Sequence, residues 1–179
     1  MKTYLSLVVI ALCLLISCKT SYEPLSIDYN FFPLKIGNKW YYNTSGLDTD
    51  PVLNIYEVKA RKEINGTWYY LITNTSVQHN LKDSVYYRLD NAVLSSISAG
   101  HEEVIIADFS LNKNDYAYWD LIGDLKVTEK TESIITFERP FQVDYGSSVT
   151  YKKGIGIIRK IMNGYFYSQS KLVRAELVK

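Results

Sequence analysis

Asn65-Gly66 stands between two runs that alternate along the chain, and no other feature constrains the fold as much. In Val52–Lys62, Val52, Asn54, Tyr56, Val58 and Ala60 alternate with Leu53, Ile55 and Glu57; the partner run is Thr67–Val77. Alternation with period two assigns successive side chains to opposite faces of a strand. Asn-Gly between two such strands closes a tight hairpin, because both residues tolerate positive φ. The punctuation recurs. Asp90-Asn91 separates Val85–Leu89 from Ala92–Ser98, and Asn163-Gly164 separates Ile155–Met162 from a closing run, Tyr165–Val178. Gly37-Asn38 and the polar turn Gly46–Pro51 bracket a further strand at Lys39–Thr44. Others are expected at Glu103–Phe109, Lys126–Thr128, Ser133–Phe137, Phe141–Tyr145 and Ser148–Tyr151, while Leu111–Asp120 reads as a loop with one helical turn. No segment carries a long helical period with caps. The pattern predicts an all-β protein: a single antiparallel sheet, strongly curved or closed into a partial or complete β-barrel, with a β-sandwich as the alternative. The 16 Tyr, six Phe and three Trp fit that class, since aromatic rings suit a pleated, half-buried surface.

The N-terminus has a different logic. Lys2 precedes an uncharged apolar run, Tyr4–Ile16, which is too short for a spanning helix of about 20 residues. It ends in Leu15-Ile16-Ser17-Cys18, which resembles the lipobox of bacterial lipoproteins. The resemblance implies a signal peptide at 1–17, acylation at Cys18, a lipidated tether at 18–29 and a β domain at 30–179. It places the protein in the cell envelope, attached to the membrane through its N-terminal lipid. No Asp follows the cysteine, which favours the outer membrane. Cys13 would leave with the signal peptide, so the mature chain has no thiol for a disulfide or a metal.

Charge narrows the partners. The whole chain is formally +1, and Lys2 is the only charged side chain ahead of Cys18, so the mature side chains sum to neutrality. Nucleic-acid binding rests on neutralising phosphates, and a neutral chain offers little for it. Glu102–Asp144 is rich in acids and Lys152–Lys179 in bases. The simplest expectation is cross-strand charge pairing between neighbouring strands; the alternative is a polar partner surface at the C-terminal end.

Catalytic chemistry finds no constellation. Ser147 and Ser148 follow Gly146 but lack the second glycine of a nucleophile elbow. His79 and His101 are the only imidazoles, both expected in exposed turns, and two histidines do not define a zinc site. Glu102 and Glu103 are neighbours, which a strand sends to opposite faces. Asp48 and Asp50 lack the spaced ligands of a calcium loop. Gly154 and Gly156 are not followed by the helix and Lys-Ser/Thr of a phosphate loop. They are expected on one face of a strand, allowing a bend or close packing over the backbone. The reading is a non-enzyme with no catalytic residue, no metal site and no cofactor.

Aromatic doublets are the candidate binding feature. Tyr41-Tyr42, Tyr69-Tyr70 and Tyr86-Tyr87 each put one ring on either side of a strand, with Trp68, Tyr56 and Tyr118 nearby in sequence. Rings that the core does not need could cradle an apolar or glycan ligand, or meet an envelope protein. They could also be cross-strand ladders. An enclosed apolar cavity would favour a ligand-binding protein; a filled interior with an exposed aromatic patch would favour a structural or interaction module of an outer-membrane assembly.

Two segments add a resemblance. Phe31-Phe32-Pro33-Leu34-Lys35-Ile36-Gly37-Asn38-Lys39-Trp40 resembles the opening of a group of uncharacterised bacterial envelope lipoproteins, and Tyr151-Lys152-Lys153-Gly154-Ile155-Gly156-Ile157-Ile158 resembles their late Gly-x-Gly strand. The resemblance implies a curved antiparallel sheet or incomplete barrel in the envelope, and no chemistry.

Overall fold

The computed structural model describes residues 30–98, 102–117, 124–142, 145–164 and 167–179. The expected signal peptide, Cys18, the tether, His101 and Tyr118 lie outside the described residues. Among the described residues twelve strands form one sheet: β1 Lys39–Ser45, β2 Val52–Ile64, β3 Thr67–Ser76, β4 Leu81–Asp90, β5 Val93–Ile97, β6 Val104–Asp108, β7 Tyr116–Ala117, β8 Leu125–Lys130, β9 Ile134–Gln142, β10 Tyr145–Lys152, β11 Gly156–Asn163 and β12 Ser168–Glu176. The order is β6-β5-β4-β3-β2-β1-β12-β11-β10-β9-β8-β7, and the described pairings are antiparallel. The first and last strands of the chain therefore meet in the middle of the sheet, which curls into a nearly closed barrel. Its seam lies between β6 and β7. Inside that seam Phe109 stacks on Phe31 (centroids 5.2 Å apart) and meets Tyr151 edge-on at 5.0 Å. Beside it, the Lys130 ammonium donates to the carbonyls of Phe109 (3.0 Å), Ser110 (3.2 Å) and Leu111.

The core fills one half of the barrel. Trp40 and Tyr42 point inward from β1, Val58 from β2, Phe137 from β9 and Tyr151 from β10, all buried. The segment ahead of β1 closes this end from below: Phe32 stacks on Trp40 at 5.4 Å and 7°. Burying each large ring contributes about 2 kcal/mol. Asn38, buried, ties the plug to three elements. Its Nδ2 donates to Pro33 O (2.8 Å), its Oδ1 accepts from Val178 N (2.8 Å), and its backbone O accepts from Val58 N (3.0 Å).

Several expectations need correcting. Leu111–Asp120 contributes the two-residue strand β7 and, in its described part, no helix. Ser133–Phe137 and the start of Phe141–Tyr145 are one strand, β9, running through Pro140. The β9–β10 register shifts between Tyr145 and Ser147, opposite Pro140, and the pairing with β8 ends at Glu138. Proline's missing N–H is tolerated there because no regular ladder needs it. The two-residue turn after β4 is Asn91-Ala92, one residue later than expected, since Asp90 pairs with Val93. At Asn163-Gly164 the connection is longer than two residues, because Met162 pairs with Ser168. Gly154 (φ +73) belongs to the β10–β11 turn, so it does not share a strand face with Gly156. A Cβ on Gly156 (φ +107) would sit 3.1 Å from Trp40 Nε1, so the glycine lets the plug close over the backbone. Among the described pairings the acidic and basic segments meet at Lys152, opposite Ile134, and Lys153; beyond that point β10 separates β9 from β11.

Candidate functional site

The antiparallel order gathers five distant segments at the plugged end: residues 30–38, the β2–β3 hairpin, the β4–β5 hairpin, the β10–β11 turn and the C-terminus. Together they bound an open groove of about 680 Å³. Trp68 and Tyr70 share β3 parity with core Ile72; Tyr70 is half-buried and packs against the core cluster, and Trp68 stands beyond it. Trp68 is 50% exposed. The Arg61 guanidinium lies across both rings, 5.1 Å from Trp68 and 5.3 Å from Tyr70. Pro33, Leu34, Leu177 and Val178 add apolar wall, and Asn30, Asp90 and Asn91 add polar groups. Such a mixture of a flat ring, a fixed cation and amide groups can bind an amphipathic or glycan surface.

The other doublets go elsewhere. Tyr42 and Tyr87 face inward. The Tyr42 hydroxyl donates to Ile157 O (2.8 Å), and its ring meets Tyr56 at 5.3 Å. Burial first, and then neighbouring Tyr56 and Asp83, push the Tyr87 hydroxyl up to about 12. Tyr41 and Tyr86 lie outside under cations, with Arg174 4.2 Å from the Tyr41 ring and Lys62 5.6 Å from the Tyr86 ring. Tyr41 also lines a shallow depression of about 580 Å³ on the outer face of β1–β4. Tyr69 lies on the outer face yet is covered, held under Arg88, whose guanidinium is 5.8 Å from its ring. Of the seven aromatic candidates, the structure brings Trp68 and Tyr70 together in the groove. They stand two apart on β3 and so share a face. Arg61 was missed, although it stands opposite Tyr70 in the register.

A polar cluster sits on the outer face nearby. Ser95 donates to Glu103, and Arg88 binds the same carboxylate through Nε (3.1 Å) and Nη2 (3.0 Å) while reaching Asp90 at 3.1 Å. Burial alone would raise the Glu103 carboxyl. Donors from Ser95, Arg88 and Tyr69, with the Arg88 charge, outweigh it and hold the carboxyl below the usual range. A carboxylate so stabilised is a poor base, and Ser95 is buried, so the cluster locks strands together rather than presenting a nucleophile. His79 lies exposed in the β3–β4 turn at the opposite end. Among the described residues no three His, Cys, Asp or Glu side chains come together to hold a metal.

The far half of the barrel interior is polar. Asn54 donates to Thr44 (2.9 Å), and Thr44 and Ser170 are linked at 2.9 Å. Lys160, opposite Ser170, is reached by solvent, yet surrounding protein lowers its pKa by desolvation. That combination describes the wall of a wet mouth rather than a convex surface. Two atoms of Arg139, Nε and Nη2, are buried there without a hydrogen-bond partner.

No protein-family model matches the chain, and no curated protein matches it in sequence. Two solved structures share the fold. One is a candidate lipoprotein from Parabacteroides distasonis, 13% identical, with a TM-score of 0.52, over 83% of this chain and 99% of that one. The other is a candidate exported protein with a YmcC-like fold from Bacteroides fragilis, 15% identical, with a TM-score of 0.53, over 83% of this chain and all of the other. At such identity the likeness establishes a shared nearly closed barrel and nothing of chemistry.

Proposed function

We propose that this chain is a non-catalytic lipoprotein of the cell envelope, anchored through Cys18, most simply in the outer membrane, and that it binds an envelope glycan or amphiphile in the groove at its plugged end. The observation that carries the reading is Trp68, half exposed, with Arg61 lying against it over a groove of ligand size. The lipobox-like Leu15-Ile16-Ser17-Cys18 and the description of one neighbour as a candidate lipoprotein support the location. An apolar ligand sealed inside the plugged half is not supported, because rings fill that half. Binding therefore moves from a sheet face, where the aromatic doublets alone would put it, to the barrel end. A second reading, an interaction module without a small ligand, draws on Ile36, Leu177 and Val178, which are exposed at the same end. Cys18→Ser should abolish fatty-acid labelling. Trp68→Ala should remove binding of purified envelope polysaccharide by the anchored protein, while Tyr41→Ala, on the outer face, should not. Polysaccharide binding that survives Trp68→Ala would refute the groove. Cross-linking from the groove to an envelope protein, with no polysaccharide bound, would favour the second reading.

A further inference from the structure

We infer that the plugged end is a membrane-facing platform, and that its groove receives the anionic headgroups of the bilayer in which the chain is anchored. The inference rests on the lipid anchor proposed above and names the groove's partner. The first argument is position. The chain enters the described fold at Asn30, which lines the groove. Residues 19–29 can span at most about 40 Å, so this end is leashed close to the bilayer.

The second argument is surface chemistry. Around the groove, Trp68, Ile36, Leu177 and Val178 are exposed beside Lys35 and Arg61, with Lys62, Lys152, Lys153 and Lys179 on the same end. Trp and aliphatic side chains interleaved with Lys and Arg are what a lipid interface takes up. The acids at this end are Glu63, Asp90, Asp108, Glu132 and Glu176; Asp90 pairs with Arg88 at 3.1 Å and Glu176 with Arg174 at 3.1 Å, and the bases outnumber them.

The third argument is the contrast between ends. The opposite turns expose apolar Leu47, Val77 and Leu81 as well, but there the acids Asp48, Asp50, Glu102 and Asp124 are mixed with the bases Lys82, Arg139 and Lys160, whereas bases predominate at the grooved end. Headgroup phosphates would therefore favour the grooved end, within a Debye length of about 8 Å.

The test uses the full acylated chain in single-copy nanodiscs of phosphatidylethanolamine with or without phosphatidylglycerol. One cysteine is introduced by Thr67→Cys at the groove or by Thr49→Cys at the far end, and each is spin-labelled. In anionic discs the label at position 67 should be several-fold less accessible to an aqueous relaxant than the one at position 49. High salt, neutral discs or Trp68→Ala with Arg61→Gln should abolish the difference. Protein that is disc-bound but shows equal accessibility at both positions would overturn the platform and leave the anchor standing. Protein that never enters discs would overturn the anchor. Protection at position 67 that persists in neutral discs, or that appears only when two copies share a disc, would assign the groove to another occupant and overturn the inference.

Discussion

Two side chains show how single residues hold this barrel. Asn38 is buried and spends both side-chain groups on backbone partners, Pro33 O and Val178 N. Asn38→Ala should therefore strand a carbonyl and an amide and cost about 1–3 kcal/mol, read as a lower denaturant midpoint. An unchanged midpoint would mean that the plug does not depend on this tie. Glu103 makes a pH-dependent contribution. Its folded pKa is depressed, so the stabilisation is present above the unfolded glutamate value, about 4.3, and is lost as pH falls through the lower folded value. Thermal midpoints of the native chain and of Glu103→Gln should differ at neutral pH and converge in acid. A gap that persists at the acid end would show that the carboxylate is not what the variant loses. Sequence could not foresee this cluster. The Tyr69-Tyr70 doublet was expected to put one ring on either side of the strand; Tyr69 is the outer one, and its cover comes from Arg88 and from Glu103, 34 positions away.

At the scale of elements, the hairpins were legible because Asn-Gly chemistry and alternation act locally. Asn65 (φ +51) and Gly66 (φ +79) close β2 onto β3 with Ile64 paired to Thr67. A Cβ on Gly66 would meet nothing within 4 Å, so Gly66→Val tests backbone conformation alone. It should cost about 1 kcal/mol or more, because a β-branched residue resists positive φ. A thermal midpoint equal to that of the native chain would argue against the tight turn. What was not legible needed a partner strand. Ser133–Phe137 and Phe141–Tyr145 read as two strands, and the continuity of β9 through Pro140 depends on where β8 stops pairing. β7 is two residues long, below any pattern that periodicity can register, and exists through its pairing with β8. The groove has the same character. Trp68 and Tyr70 share parity in sequence, but Arg61, Asn30, Asn91 and Val178 join them only when the barrel brings those segments together.

The whole molecule is asymmetric along the barrel axis. Rings and the plug fill one half, while Asn54, Thr44, Ser170 and Lys160 line the other. Tyrosine hydroxyls mark the boundary and report on it. Burial raises Tyr42 and Tyr151 well above the ordinary phenol value, with neighbouring tyrosines adding to it, and Tyr87 reaches about 12. These groups are neutral in the fold, so their contribution to stability is complete below the unfolded value, about 10. It declines as pH rises from there through the folded values, because the unfolded chain loses protons first. Absorbance at the phenolate band should therefore rise in two stages. The first stage should be reversible, with the barrel's circular dichroism unchanged. The core rings should follow only at higher pH, together with loss of that signal. A single reversible step near pH 10 with the fold intact would mean that water reaches Tyr42, Tyr87 and Tyr151. The plugged half would then be an open chamber, and the argument that moved binding from the interior to the end groove would fail with it.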